Sequence, residues 1–135
     1  MTPRKDNWRT ELFAFVIGSA REQFKAGKND CALFAAGAVK AMTGLDLAVG
    51  WRGKYHTLKT GKERLQKEGF ADLAALAAHH FEEIPPLNAQ VGDIAVVEGD
   101  DAPALGVVQG AFVWVRMPHG IGSVPLTDVK RAFRI

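Results

Sequence analysis

The chain has 135 residues, 47% of them hydrophobic, and sets 17 basic side chains against 15 acidic ones for a formal charge of +2. That length carries one compact core and is too short for two ordinary domains, so residues 1–135 are expected to form a single domain. The mixed charge gives no strong pull toward nucleic acid or an anionic membrane, and the lone cysteine, Cys31, excludes an internal disulfide framework and a multi-cysteine zinc cluster.

At the N-terminus, MTPRKDNWRTELFAFVIGSAREQF places basic residues before an apolar stretch, as a secretory leader does. Glu11 interrupts the stretch, the run over residues 12–17 is about half a usual leader core, and apolar positions recur at helical spacing through Phe24. The reading is therefore a mature amphipathic helix from residue 7 or 10 to 24, with Leu12, Phe13, Val16, Ile17 and Phe24 inward. No segment approaches the roughly 20 apolar residues that cross a bilayer. A chain made in the cytoplasm without a signal peptide, and with no membrane span, is the expectation.

A second helix begins at Asn29 or Asp30, whose side chains can accept from the free amides of a first turn. It ends at Thr43-Gly44, where glycine suits a left-handed cap. From Cys31, positions 34, 35, 38, 39 and 42 supply Phe, Ala, Ala, Val and Met, one apolar stripe that makes Cys31 its first member. Residues 45–58 lack periodicity and read as an ordered loop. Shorter helices follow at about 60–68 and 72–80, separated by Gly69, and Pro85-Pro86 stops helix formation.

Strand patterns then occupy residues 91–97, 105–109, 111–117, 120–124 and 131–135. VVQGAFVWV reads as a tight hairpin about Gln109-Gly110, and EGDDAPA as a polar loop. Helices first and strands second is the segregation of an α+β domain, N-terminal helices packed on a small C-terminal antiparallel sheet or open barrel.

A thiol at a helix N-terminus feels the positive end of the helix dipole, which favours thiolate and suits a nucleophile. Cysteine is also among the most frequently buried residue types, and the stripe that follows it is apolar, which favours reading Cys31 as a small core side chain. A nucleophile needs a base within hydrogen-bond reach. His56, in the glycine-rich loop, and His119, after Pro118 in a turn, are the candidate bases, each with a plain surface reading beside it. His79 and His80 sit near a helix end, where a capping role accounts for them. The acidic patch of Asp93, Glu98, Asp100 and Asp101 lacks the spacing of a calcium loop. Arg52-Gly53-Lys54, near Trp51 and Tyr55, is a basic cluster of low specificity for a phosphate or a glycan ring. No phosphate-cradling glycine loop is present, and neither cofactor nor metal is expected.

Asn29-Asp30-Cys31 opening a helix, Phe34 one turn on, and a Gly92-Asp93 strand leading into a short antiparallel sheet resemble the papain-like NlpC-type fold of cell-wall cysteine peptidases. NDCALFAAGAVKAMTGLD, RGKY, VGDIAVV, ALGVVQG and the closing AFRI resemble more closely a phage and prophage branch of small proteins related to that fold. The resemblance covers most of residues 7–135. In the active peptidases it implies Cys31 as nucleophile and a histidine at the start of the strand after the Gly-Asp strand. Here that stretch reads Ala104-Leu105-Gly106-Val107.

Alanine and leucine accept no proton, and loss of a positioned base removes about 10² to 10⁴ in rate. The resemblance thus implies a degenerate, non-catalytic scaffold, a virion or tail-tip component whose partners are other phage tail proteins. The alternative is an active cysteine peptidase or amidase on peptidoglycan peptides, with Cys31 served by His56 or His119.

Overall fold

The computed structural model describes residues 3–135; Met1 and Thr2, within the span expected to form one domain, lie outside the described residues. Helices α1 (Trp8–Ala20), α2 (Cys31–Thr43), α3 (Leu58–Lys67) and α4 (Leu73–His80) come first. The strands follow: β1 (Glu82–Ile84), β2 (Ile94–Glu98), β3 (Pro103–Val108), β4 (Phe112–Met117), β5 (Gly120–Pro125) and β6 (Arg131–Arg134). They form one open sheet in the order β1-β6-β2-β3-β4-β5, with every neighbouring pair antiparallel. The fold is α+β, as the order of helical and strand patterns predicts.

The α2 helix follows its sequence closely. The Asp30 side chain accepts from the Leu33 amide, and Gly44 closes the helix at φ 83°. The stripe Phe34, Ala35, Ala38, Val39 and Met42 is buried. It packs on α1 through the Phe15 ring, stacked on Phe34 with centroids 5.7 Å apart. Gly37 makes this approach possible, since a Cβ there would fall 2.4 Å from the Phe15 ring.

The α1 helix departs from expectation at two points. It ends at Ala20, four residues short of Phe24, because the buried Arg116 guanidinium of β4 donates to the Ser19 and Glu22 carbonyls at 2.6 Å each and closes the last turn. Only Leu12 and Val16 of the expected inward set within the helix reach the core; Phe13 is 42% and Ile17 55% exposed. The helix is apolar on nearly every side, so spacing alone does not say which side faces in.

Alternation along the strands places two apolar layers on opposite faces of the sheet. Ile94, Val96, Leu105, Val107 and Phe133 meet the helices, with Trp114 packed at the edge of that core. Ala95, Val97, Val108, Val113, Val115 and Ala132 form the second layer. The short helical turns Pro86–Asn88 and Leu126–Asp128 flank this second face. The expected hairpin is present: Val108 pairs with Val113, and the Gln109 amide donates to the Phe112 carbonyl at 2.9 Å around Gly110.

Asp93, placed by sequence in an acidic patch, is instead buried away from that loop. Its carboxylate accepts from the Gln90 amide (2.9 Å), the Ile135 amide (3.1 Å) and the Arg4 guanidinium (3.1 Å). Arg4 also donates to the carbonyls of Val91 and Ile135. The Gly92-Asp93 step is therefore a joint that ties the first described residues to the last strand.

Candidate functional site

The turn before α2 is held from three sides. The Ser19 hydroxyl donates to the Asn29 side-chain oxygen (3.2 Å), and the Asn29 amide group donates to the Gln23 carbonyl (3.2 Å). Gly27 sits at φ 82° with its would-be Cβ only 1.9 Å from the Tyr55 carbonyl oxygen, a place no other residue fits. Asp30, 2% exposed, is the hub: one oxygen accepts from Leu33 N (3.0 Å), the other from Gly27 N (2.9 Å) and from the Tyr55 hydroxyl (2.5 Å). The Tyr55 ring lies against Gly61 of α3.

Cys31 follows this hub directly and lines a cleft of about 800 Å³ between α2, α3, α4 and the β2–β3 segment. Leu47, Trp51, Leu65, Leu76 and Ile94 supply much of its apolar lining. Lys59 and Lys62 of α3 add positive charge, and Asp100 and Asp101 of the β2–β3 loop add negative charge.

Burial pushes the Cys31 thiol above its ordinary range. The Leu105 backbone amide opposes that shift and the Asp30 charge adds to it. Helix-terminal placement would by itself lower the thiol; desolvation wins, and the protonated form is favoured. The neighbouring Tyr55 hydroxyl is held still more firmly as a neutral donor, by burial first and then by the Asp30 carboxylate it binds.

Of the expected site residues, Cys31 alone lines the cleft. His56 is exposed in the loop before α3, and His119 is exposed in the turn between β4 and β5; neither is part of the cleft wall. Ala104 and Leu105, the stretch in which the resemblance expects the histidine, do line it beside Cys31. The cleft also holds His80, from the last turn of α4. Burial and the adjacent His79, with ring centroids 5.0 Å apart, push the His80 imidazole below its usual range and favour the neutral ring.

Tyr55, expected beside the basic cluster, and His80, expected as a helix-end cap, both line the cleft. Tyr55 reaches Asp30 across 25 residues of chain, and its only local trace is an aromatic in a glycine-rich loop. His80 enters the cleft through the packing of α4 on the sheet, which leaves no trace in local spacing. The basic cluster has a structural use: Arg52 pairs with Asp46 at 3.4 Å, and Lys40 approaches the same carboxylate at 3.7 Å. Among the described residues, no group of three or more His, Cys, Asp or Glu is arranged to hold a metal ion, and no helix is long and apolar enough to cross a membrane.

Four helices on an open antiparallel sheet, with a capped thiol facing a cleft, define an α+β protein with one pocket-lining cysteine. The chain belongs to the family described as a domain of unknown function (DUF6950), whose model matches residues 3–135. No curated protein matches the chain.

Proposed function

We propose that this chain is a non-catalytic papain-like module, a structural or binding component of a phage or prophage tail that meets other tail proteins. The supporting observation is the surroundings of Cys31: a thiol raised by burial, with Ala104 and Leu105 lining the cleft where the resemblance expects a proton acceptor. A cysteine hydrolase needs thiolate and a base to make it; this wall favours thiol and offers methyl groups. The same wall supports a packing role for the sulfur and leaves the cleft as a binding surface with charges of both signs beside it.

The second reading, a cysteine peptidase or amidase acting on peptidoglycan peptides, draws support from His80 in the same cleft. Purified chain incubated with murein fragments separates the two, read by mass spectrometry of released peptides. The non-catalytic reading expects no turnover by the wild type. Cleavage that disappears in both Cys31→Ala and His80→Gln would replace it with the enzyme. Alkylation by iodoacetamide gives a second readout. A thiol raised by desolvation keeps gaining reactivity as pH climbs past about 8.5, whereas a Cys–His pair has levelled off below neutrality.

A further inference from the structure

The outer face of α1 departs from ordinary surface chemistry, with Phe13 42% and Ile17 55% exposed. Between Leu12 and Ala20 the helix carries no charged residue. Leu12, Val16 and Ser19 are buried on the inner side, while Thr10, Phe13, Ala14, Ile17, Gly18 and Arg21 are exposed on the other. These positions recur at intervals of three and four and share one stripe. An apolar stripe on both sides of a helix is the pattern of a helix covered on both sides. Phe13 extends the face onto the sheet through its edge contact with Trp114, centroids 5.6 Å apart.

The face fits a second copy of itself. Laid antiparallel about a two-fold axis between residues 15 and 16, each level along the pair holds one large and one small side chain. Phe13 shares a level with Gly18 of the second copy, and Ile17 with Ala14 of the second copy. Nothing lies within 4 Å of a would-be Cβ on Gly18, so that notch is open. The charges agree with the same direction: Glu11 stands at one end and Arg21 at the other, one level apart in the antiparallel pair. A parallel pair would set like charges together. Neither side chain takes part in an ion pair among the described residues.

We propose that α1 is an isologous interface, packing antiparallel on α1 of a second copy of this chain. This goes beyond the proposed function and does not rest on it. A helix of 13 residues offers less than the roughly 800 Å² per partner of a standard stable interface. The dimer is accordingly weak and concentration-dependent.

Sedimentation equilibrium of the full chain from about 5 to 500 µM, under reducing conditions that keep Cys31 out of disulfides, tests this. A monomer–dimer equilibrium is expected, with Ile17→Glu raising the dissociation constant at least about 30-fold while far-ultraviolet circular dichroism and melting stay unchanged. Glu11→Arg and Arg21→Glu each weaken self-association about five- to tenfold, and an equimolar mixture of the two recovers the wild-type level as heterodimer. A monomer throughout the range, a dimer indifferent to Ile17→Glu, or a mixture no tighter than its components overturns the proposal.

Discussion

Asp30 and Asp93 are both buried carboxylates with three donors apiece, and each sits in a motif that invites a chemical reading. What differs is the donor. Asp30 accepts from two amides and a neutral hydroxyl beside an open cleft. Asp93 accepts from two amides and the Arg4 guanidinium, at the meeting of the first described residues and the last strand. Both are joints. The one beside the thiol is satisfied by neutral dipoles, so its charge reaches Cys31 and works against thiolate; the other is neutralised by its partner.

The largest effect is expected where a charge loses its counter-charge. Asp93→Asn leaves Arg4 partly buried opposite a neutral amide and turns an NH₂ toward a backbone donor, costing about 3–5 kcal/mol. Asp30→Asn strands no cation and loses one amide contact of the hub, costing about 2–3 kcal/mol. Urea unfolding of both variants measures the difference, and a larger loss for Asp30→Asn breaks the comparison.

Much of this arrangement was legible where it is local. Asp30 and Gly44 are cap residues four positions or fewer from the groups they serve, so the bounds of α2 follow from sequence. The Gly92-Asp93 step was visible as a motif, while its partners Arg4 and Ile135 lie 89 and 42 residues away in sequence. The strand β1 escaped because Glu82 and Glu83 have little strand propensity and owe their conformation to pairing with β6. Of the inward set expected in α1, Leu12 and Val16 face in while Phe13 and Ile17 face out, because an all-round apolar helix has no preferred face in its own sequence. In β4 the sequence likewise offers two apolar faces, Val113 and Val115 on one and Trp114 on the other, and each packs in its own layer.

A smaller effect is expected at Tyr55, the donor that separates the two hubs in kind. Tyr55→Phe removes one charge-assisted hydrogen bond and keeps the ring against Gly61, costing about 1–2 kcal/mol. The same variant should open the cleft side of the Asp30 hub, read as faster amide hydrogen exchange at Gly27 and Leu33 with no change at Gln90 or Ile135. Equal acceleration around both aspartates would show that the hubs are not independent.

The smallest effect at neutral pH belongs to Cys31. Cys31→Ala removes one sulfur from a cleft wall and costs about 1 kcal/mol or less, yet it has a pH signature. The thiol is raised in the folded chain, so below about 8.5 both folded and unfolded states keep the proton and the thiol's contribution is complete. As pH climbs past that value the unfolded thiol ionises first, the unfolded state binds fewer protons, and stability falls until the folded thiol ionises too. Melting temperatures at pH 7, 8, 9 and 10 should therefore decline more steeply for the wild type than for Cys31→Ala. Parallel curves would mean that the folded chain holds Cys31 no more tightly to its proton than water does, and that desolvation does not set this thiol apart from a nucleophile's.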